Sequence, residues 1–304
     1  MSLEIFGFQA LWSPYFAIAL ILVGILFFCI TVIYRSAIAK DSEPLTIKQA
    51  VLFITVLLLV YTLKGSPVDL LGHIMFSVHM TQMAILFLVV PPMLINAVPD
   101  WLWRKLLSIK TIGAIVGFFT KPLIALFVFN AAFSFYHIPA IFDAIKMNMF
   151  YHSSYTVLLF ITSLFMWWPV TNKLEEHQGF YGIKRIGYIF ANGMLLTPAC
   201  GLIIFANHPM YETYSNPEHW MSAMELCVPG TIWANAGITG PSLFNTMPLL
   251  EDQRTGGVIM KIIQEIVFGV VLAQIFFSWA RQERESEIDM NPVIQMKPLD
   301  ESGK

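Results

Sequence analysis

Charge is what this 304-residue chain has least of: Asp, Glu, Lys and Arg make up 12% of it, about half the roughly 25% found in soluble domains. So few charges cannot cover a water-facing surface at this length, which excludes a soluble globule. Eighteen Lys and Arg against twenty Asp and Glu leave a formal charge of −2. With no basic excess, the chain has no field to hold nucleic acid. Cysteine is also scarce. The three present, Cys29, Cys200 and Cys227, form no C-x-C or C-x-x-C pair, which argues against a thiolate metal cage. No nucleophile motif, phosphate-binding glycine loop or paired-carboxylate pattern stands out, so an enzyme is disfavoured. Residues 1–13 carry Glu4 but no Lys or Arg. The positive n-region of a cleaved signal peptide is missing, and the first apolar run is expected to stay as a membrane anchor.

What is abundant is apolar: 57% of the residues are Ala, Val, Ile, Leu, Met, Phe, Trp, Tyr or Cys. A helix needs about 20 mostly apolar residues to cross about 30 Å of hydrocarbon. Seven stretches qualify, at 14–34, 47–63, 70–98, 112–136, 149–170, 186–206 and 256–279, the second being the shortest. They are continuously apolar, without the in-out alternation of a membrane barrel. The expected fold is all-α, a polytopic membrane bundle of about seven transmembrane helices over residues 1–280, with a disordered cytoplasmic tail over 281–304.

Basic residues give the expected direction. Thirteen of the eighteen fall in the loops after the first, third and fifth stretches and in the tail. By the positive-inside rule the N-terminus is outside and the C-terminus is cytoplasmic, in a multi-pass protein of the cell membrane. The longest connection, 207–255, is then external; it contains five prolines with Trp220 and Trp233, and a loop of that length is usually functional or disordered.

This orientation makes the histidines informative. His73 and His79 lie near the outer end of the third stretch, His137 closes the fourth, and His152 opens the fifth. Met75, Met80 and Met83 join them, with Met147 and Met149 just before the fifth stretch. On a continuous helix Met75, His79 and Met83 form one stripe, and His73 and Met80 a second. Imidazole with thioether suits Cu(I), because soft sulfur selects it over harder divalent ions. The plainer reading is that methionine fills helix interfaces and that an intramembrane histidine hydrogen-bonds a neighbouring helix. Each Met alone favours packing; each His is nearer even, since intramembrane ionisable groups tend to mark sites. His177, His208 and His219 are expected to be solvated, and Asp143 and Asp252 to be exposed acids. Pro91 and Pro92 should break or kink the third stretch, while Trp167, Trp168 and Pro169 end the fifth.

Several ordered segments carry a family resemblance: HMTQM at 79–83 followed by Pro91 and Pro92, YHIPAIFDAI at 136–145, the run from His152 to Pro169, LLTPACG at 195–201 and EDQRTGGVIM at 251–260. With the opening MSLEIFGFQALWSP, they cover nearly the whole chain. The sequence resembles the multispan CtaG family of assembly factors for caa(3)-type cytochrome c oxidase in Gram-positive bacteria. The resemblance implies a role in forming active oxidase, with caa(3)-type oxidase subunits and the lipid bilayer as partners, copper as the metal in hand and no turnover of its own. It makes His73, His79, Met80, Met83, His137 and His152 the candidate ligands. Relatives place a further acid and histidine just after the His152 position; this chain has Tyr155 and Thr156. The unrelated single-span copper protein of the same name carries a C-x-C motif, which is missing here.

A copper permease is the alternative, but no comparable His or Met series continues into the cytoplasmic half, where Met166 and Met194 are sparse. A retinal or haem protein fits less well: Lys261 has no acid beside it on a neighbouring span, and the spacing from His73 to His79 is too short for bis-histidine haem.

Overall fold

The computed structural model describes residues 3–40, 42–174, 176, 182–225, 228 and 247–290. Among them the chain is helical, with no strand. Six of the described helices are long and apolar enough to cross a membrane, and a bent pair makes a seventh if it counts as one span.

A short helix α1 (Phe8–Leu11) leads to α2 (Pro14–Phe28), which runs on through a π turn at Cys29–Ile33. Proline suits the first turn of α2 because that turn leaves its N–H groups without helical partners anyway. Ile21, Leu22, Ile25 and Leu26 are all exposed, the surface expected of a helix whose solvent is lipid. After α3 (Arg35–Ile38), the helix α4 (Ile47–Lys64) starts at a reciprocal cap in which Gln49 N donates to Thr46 Oγ1 and Thr46 N donates to Gln49 Oε1. This satisfies two of the donors that every helix start leaves open.

The third stretch is not one helix. It divides into α5 (Pro67–Ile74), α6 (Phe76–Ala84), a π turn at Ile85–Val89 and α7 (Val90–Ala97). Met75 is extended, with φ −121° and ψ 126°, and separates α5 from the crossing segment Phe76–Ala97. The π turn just precedes Pro91 and Pro92. Pro91 has no N–H for the Phe87 carbonyl four residues back, and the Trp167 indole N–H donates to that carbonyl instead, at 3.1 Å.

The fourth stretch is also divided. After α8 (Asp100–Leu107), α9 (Lys110–Phe119) and α10 (Pro122–Tyr136) meet at 79°. Pro122 forces the residue before it, Lys121, out of the helical region, and its φ of −57° and ψ of 127° place it there.

The chain continues through α11 (Pro139–Lys146), α12 (Met149–Thr171), α13 (Ile183–Ile204), α14 (Glu212–Ser215), α15 (Pro217–Glu225) and α16 (Leu249–Met290). Part of the expected outer loop is therefore ordered helix, and α16 carries ten residues into the expected tail. His177, Cys227, Trp233, residues 229–246 and residues 291–304 lie outside the described residues. The core is built on Phe87, Phe129, Phe133, Leu159, Trp167 and Leu196. Gly256 and Gly257 bring α16 against two helices at once: a Cβ at 256 would sit 2.9 Å from Phe76, and one at 257 would sit 2.8 Å from Ile204. Close approach through small residues is how helices pack where lipid removes the hydrophobic drive. Asn130 Nδ2 adds a buried hydrogen bond from α10 to Asn192 Oδ1 on α13, at 3.0 Å.

Candidate metal site at the break in the third span

Breaking a helix inside a bundle exposes carbonyls at one new end and N–H groups at the other. Both ends are closed here by ionisable side chains of matching sign. At the end of α5, the Gly72 carbonyl accepts from Lys146 Nζ at 3.1 Å and from the Tyr214 hydroxyl at 2.7 Å, and Lys146 also donates to Tyr214 at 2.9 Å. At the start of α6, Phe76 N donates to Asp252 Oδ2 at 2.7 Å, while Ser77 N and Oγ donate to Asp252 Oδ1 at 3.3 and 2.5 Å. A cation at a helix C-terminus and a carboxylate at an N-terminus each oppose the helix dipole. Gln82 Nε2 completes the seal by donating to the carbonyls of Leu63 and Val68 at 2.7 and 3.0 Å.

These contacts correct two expectations. Asp252 is 2% exposed and Asp143 8%, so neither is a solvated loop acid. Asp143 caps α14, accepting from Glu212 N and from Thr213 N and Oγ1. Each carboxylate is buried because it serves a helix start that the sequence does not mark as adjacent.

The histidines gather at this end. His73 on α5 and His152 on α12 face each other with ring centroids 5.5 Å apart at 68°. His79 on α6 lies 5.3 Å from the Phe142 ring and 6.0 Å from Tyr136, and His137 lies 6.4 and 5.1 Å from the same two rings. His137 Nδ1–H donates to the Phe133 carbonyl at 2.7 Å, which leaves Nε2 as the lone-pair nitrogen. A backbone carbonyl that fixes the tautomer in this way is the usual support of a metal-binding imidazole. Among the described residues, no hydrogen-bond partner meets His73 Nδ1, His79 Nε2, His137 Nε2, His152 Nδ1 or the Tyr136 hydroxyl, all buried. Burial, then Lys146, His152 and Lys64, hold His73 well below the usual imidazole range. Burial lowers His137 to about 4, against the opposing pull of the Phe133 carbonyl. Both are therefore neutral at pH 7, the form that binds a metal.

The methionines divide. Met83 is buried one turn beyond His79, but Met80 packs toward α16, its Cγ 3.1 Å from where a Gly256 Cβ would lie. Met75 occupies the break rather than the helix, so the three-residue stripe reduces to His79 and Met83. Met149 is 63% exposed and turns away. Among the described residues, no three His, Cys, Asp or Glu side chains are arranged to hold a metal ion together.

His219 pairs with Glu212 at 3.0 Å, Nδ1 to Oε2, and His208 is exposed. The sequence reading missed Lys146, which is 1% exposed and lies over the Tyr214 ring at 5.0 Å, and it missed Tyr136 and Tyr214. A signal was present. Pro139 at a first helical position, followed by Phe142, Ile145 and Lys146 at helical spacing, marks a short helix with a buried face.

An end-on cluster of buried imidazoles within apolar helices defines a polytopic membrane protein with a polar site at one end of its bundle. The chain matches the family described as cytochrome c oxidase caa3 assembly factor (Caa3_CtaG) over residues 38–282, and it belongs to that family. No curated protein and no solved structure matches the chain.

Proposed function

We propose that this multi-pass assembly factor holds Cu(I) as cargo at the His73, His79, His137 and His152 end of its bundle, with Met83 as a thioether donor, for a copper centre of a caa3-type oxidase. The observation that carries this reading is that, among the described residues, five buried polar atoms at this end of the bundle have no hydrogen-bond partner. Buried polar groups are almost always satisfied, and such exceptions point to an ion or ligand. The donors fit: neutral imidazole and thioether suit a soft, low-coordinate ion better than a hard one. The chain's own groups bind and exclude water, and no turnover is assigned to them.

The histidine end is assigned to the outer face, because thirteen of the eighteen basic residues fall in the loops and tail assigned to the cytoplasm. The family assignment gives no support to a permease. A scaffold without metal is the competing reading, since Met80 is taken up by packing and no three-ligand group is present among the described residues. In a strain lacking this protein, caa3 oxidase activity should fall, and a His73→Ala, His152→Ala double variant should fail to restore it while still reaching the membrane. Full restoration by that variant would leave only the scaffold reading.

A further inference from the structure

A cavity of about 1000 Å³ opens at the end of the bundle away from the histidines, between the start of α4, the end of the third span and the middle of α16. Along all three elements its lining changes from aliphatic to polar in the same direction. On α16, Ile266 and Val270 are followed on the same face by Gln274. Val89 and Met93 give way to Asn96 and Asp100, and Leu52 gives way to Lys48 toward the start of α4. From Ile266 to Gln274 the helix rises about 12 Å, less than half of the roughly 30 Å hydrocarbon core. A partner's spanning helix would need a groove over the full thickness; this one reaches within a single leaflet.

The mouth is chemically distinct. Lys48, Arg104 and Lys173 reach it from three different segments. Arg104 pairs with Glu176 at 2.7 Å, while Lys48 and Lys173 form no ion pair among the described residues. The buried indole N–H of Trp101, which also lines the cavity, has no acceptor among the described residues. Glu43 and Asp100 lie at the same mouth, so it is no general anion trap, and a phosphate is favoured when an acyl anchor delivers it.

We propose that this cavity binds one phospholipid, its phosphate held by Lys48, Lys173 and the Trp101 N–H, and an acyl chain laid along Ile266, Val267 and Val270. The full-length protein, washed extensively in mild detergent, is assayed for retained phospholipid by native mass spectrometry. One phospholipid per chain is expected. Lys48→Gln with Lys173→Gln should lower retention by roughly fivefold per lysine, and Val270→Trp should abolish it by filling the groove. Ile262→Trp, exposed on the same helix but outside the cavity, should retain lipid. If Val270→Trp does not fold, the lysine pair still decides the matter. No retained lipid in the wild type, equal retention in the lysine and tryptophan variants, or a photo-crosslinker at Val270 that captures an oxidase subunit in place of lipid would each overturn the proposal.

Discussion

Asp252 shows how much one carboxylate does in this bundle. It closes the start of α6 through three hydrogen bonds while buried at 2% exposure. Replacement by Ala leaves two backbone donors of a helix start unpaired in an apolar setting. We expect Asp252→Ala to destabilise the protein by about 2 to 4 kcal/mol, read as a lower midpoint of thermal unfolding in detergent. At the same scale, the histidines make stability depend on pH. His73 and His137 have folded values below the ordinary 6.5, so the unfolded chain binds more protons under acid conditions, and stability rises with pH through that window. Their contribution is complete above about pH 6.5 and is lost as pH falls toward 4. The unfolding midpoint of the metal-free protein should therefore drop between pH 7 and pH 5, and His137→Phe should flatten the slope. A midpoint independent of pH in the wild type would show that these rings are solvated.

Between elements, the motif EDQRTGGVIM becomes a connector through five of its residues. Asp252 caps α6. Gln253 accepts from Met210 N at 2.7 Å, Arg254 donates to the Ala206 carbonyl at 2.9 Å, and the two glycines permit contact with α6 and α13. A Gly256→Val substitution forces branched carbon against Phe76, Met80 and the Ser77 backbone. It should destabilise by about 1 to 3 kcal/mol, and because Met80 and Ser77 flank His79, copper binding should weaken with it. Retained stability and copper affinity would show that the helices can separate freely there. Sequence alone gave good bounds for α4 and α12, where capping residues and uniform hydropathy agree. It ran α5 into α6 because hydropathy does not report a single extended residue such as Met75. It ran α9 into α10 for the same reason, although Pro122 marked the join.

For the whole molecule, composition was enough to make lipid the solvent and to place six or seven crossings. The four histidines were legible as a group because they share a level at the ends of successive spans. Lys146, Asp143 and Asp252 were not, since their partners lie 74, 70 and 176 positions away, and pairing over such separations leaves no trace in local pattern. The buried Lys146 also changes the electrostatic picture. The histidine end sets two cations near His73, as the lowering of that ring by Lys146 and then Lys64 records. A cuprous ion held there, as proposed, would need donors strong enough to offset that repulsion.

Whether the four buried imidazoles take copper is measured with the metal itself. Purified protein is equilibrated anaerobically with buffered Cu(I), and bound copper is counted in the wild type and in the His73→Ala, His152→Ala variant, with thermal unfolding checked in both. Saturable copper is expected in the wild type, and the variant should lose at least about a factor of ten in affinity, the loss that follows when even the outer-shell partners of a metal's ligands are removed. Wild-type protein that remains free of copper, or a variant that binds it equally well, would contradict copper binding at these imidazoles.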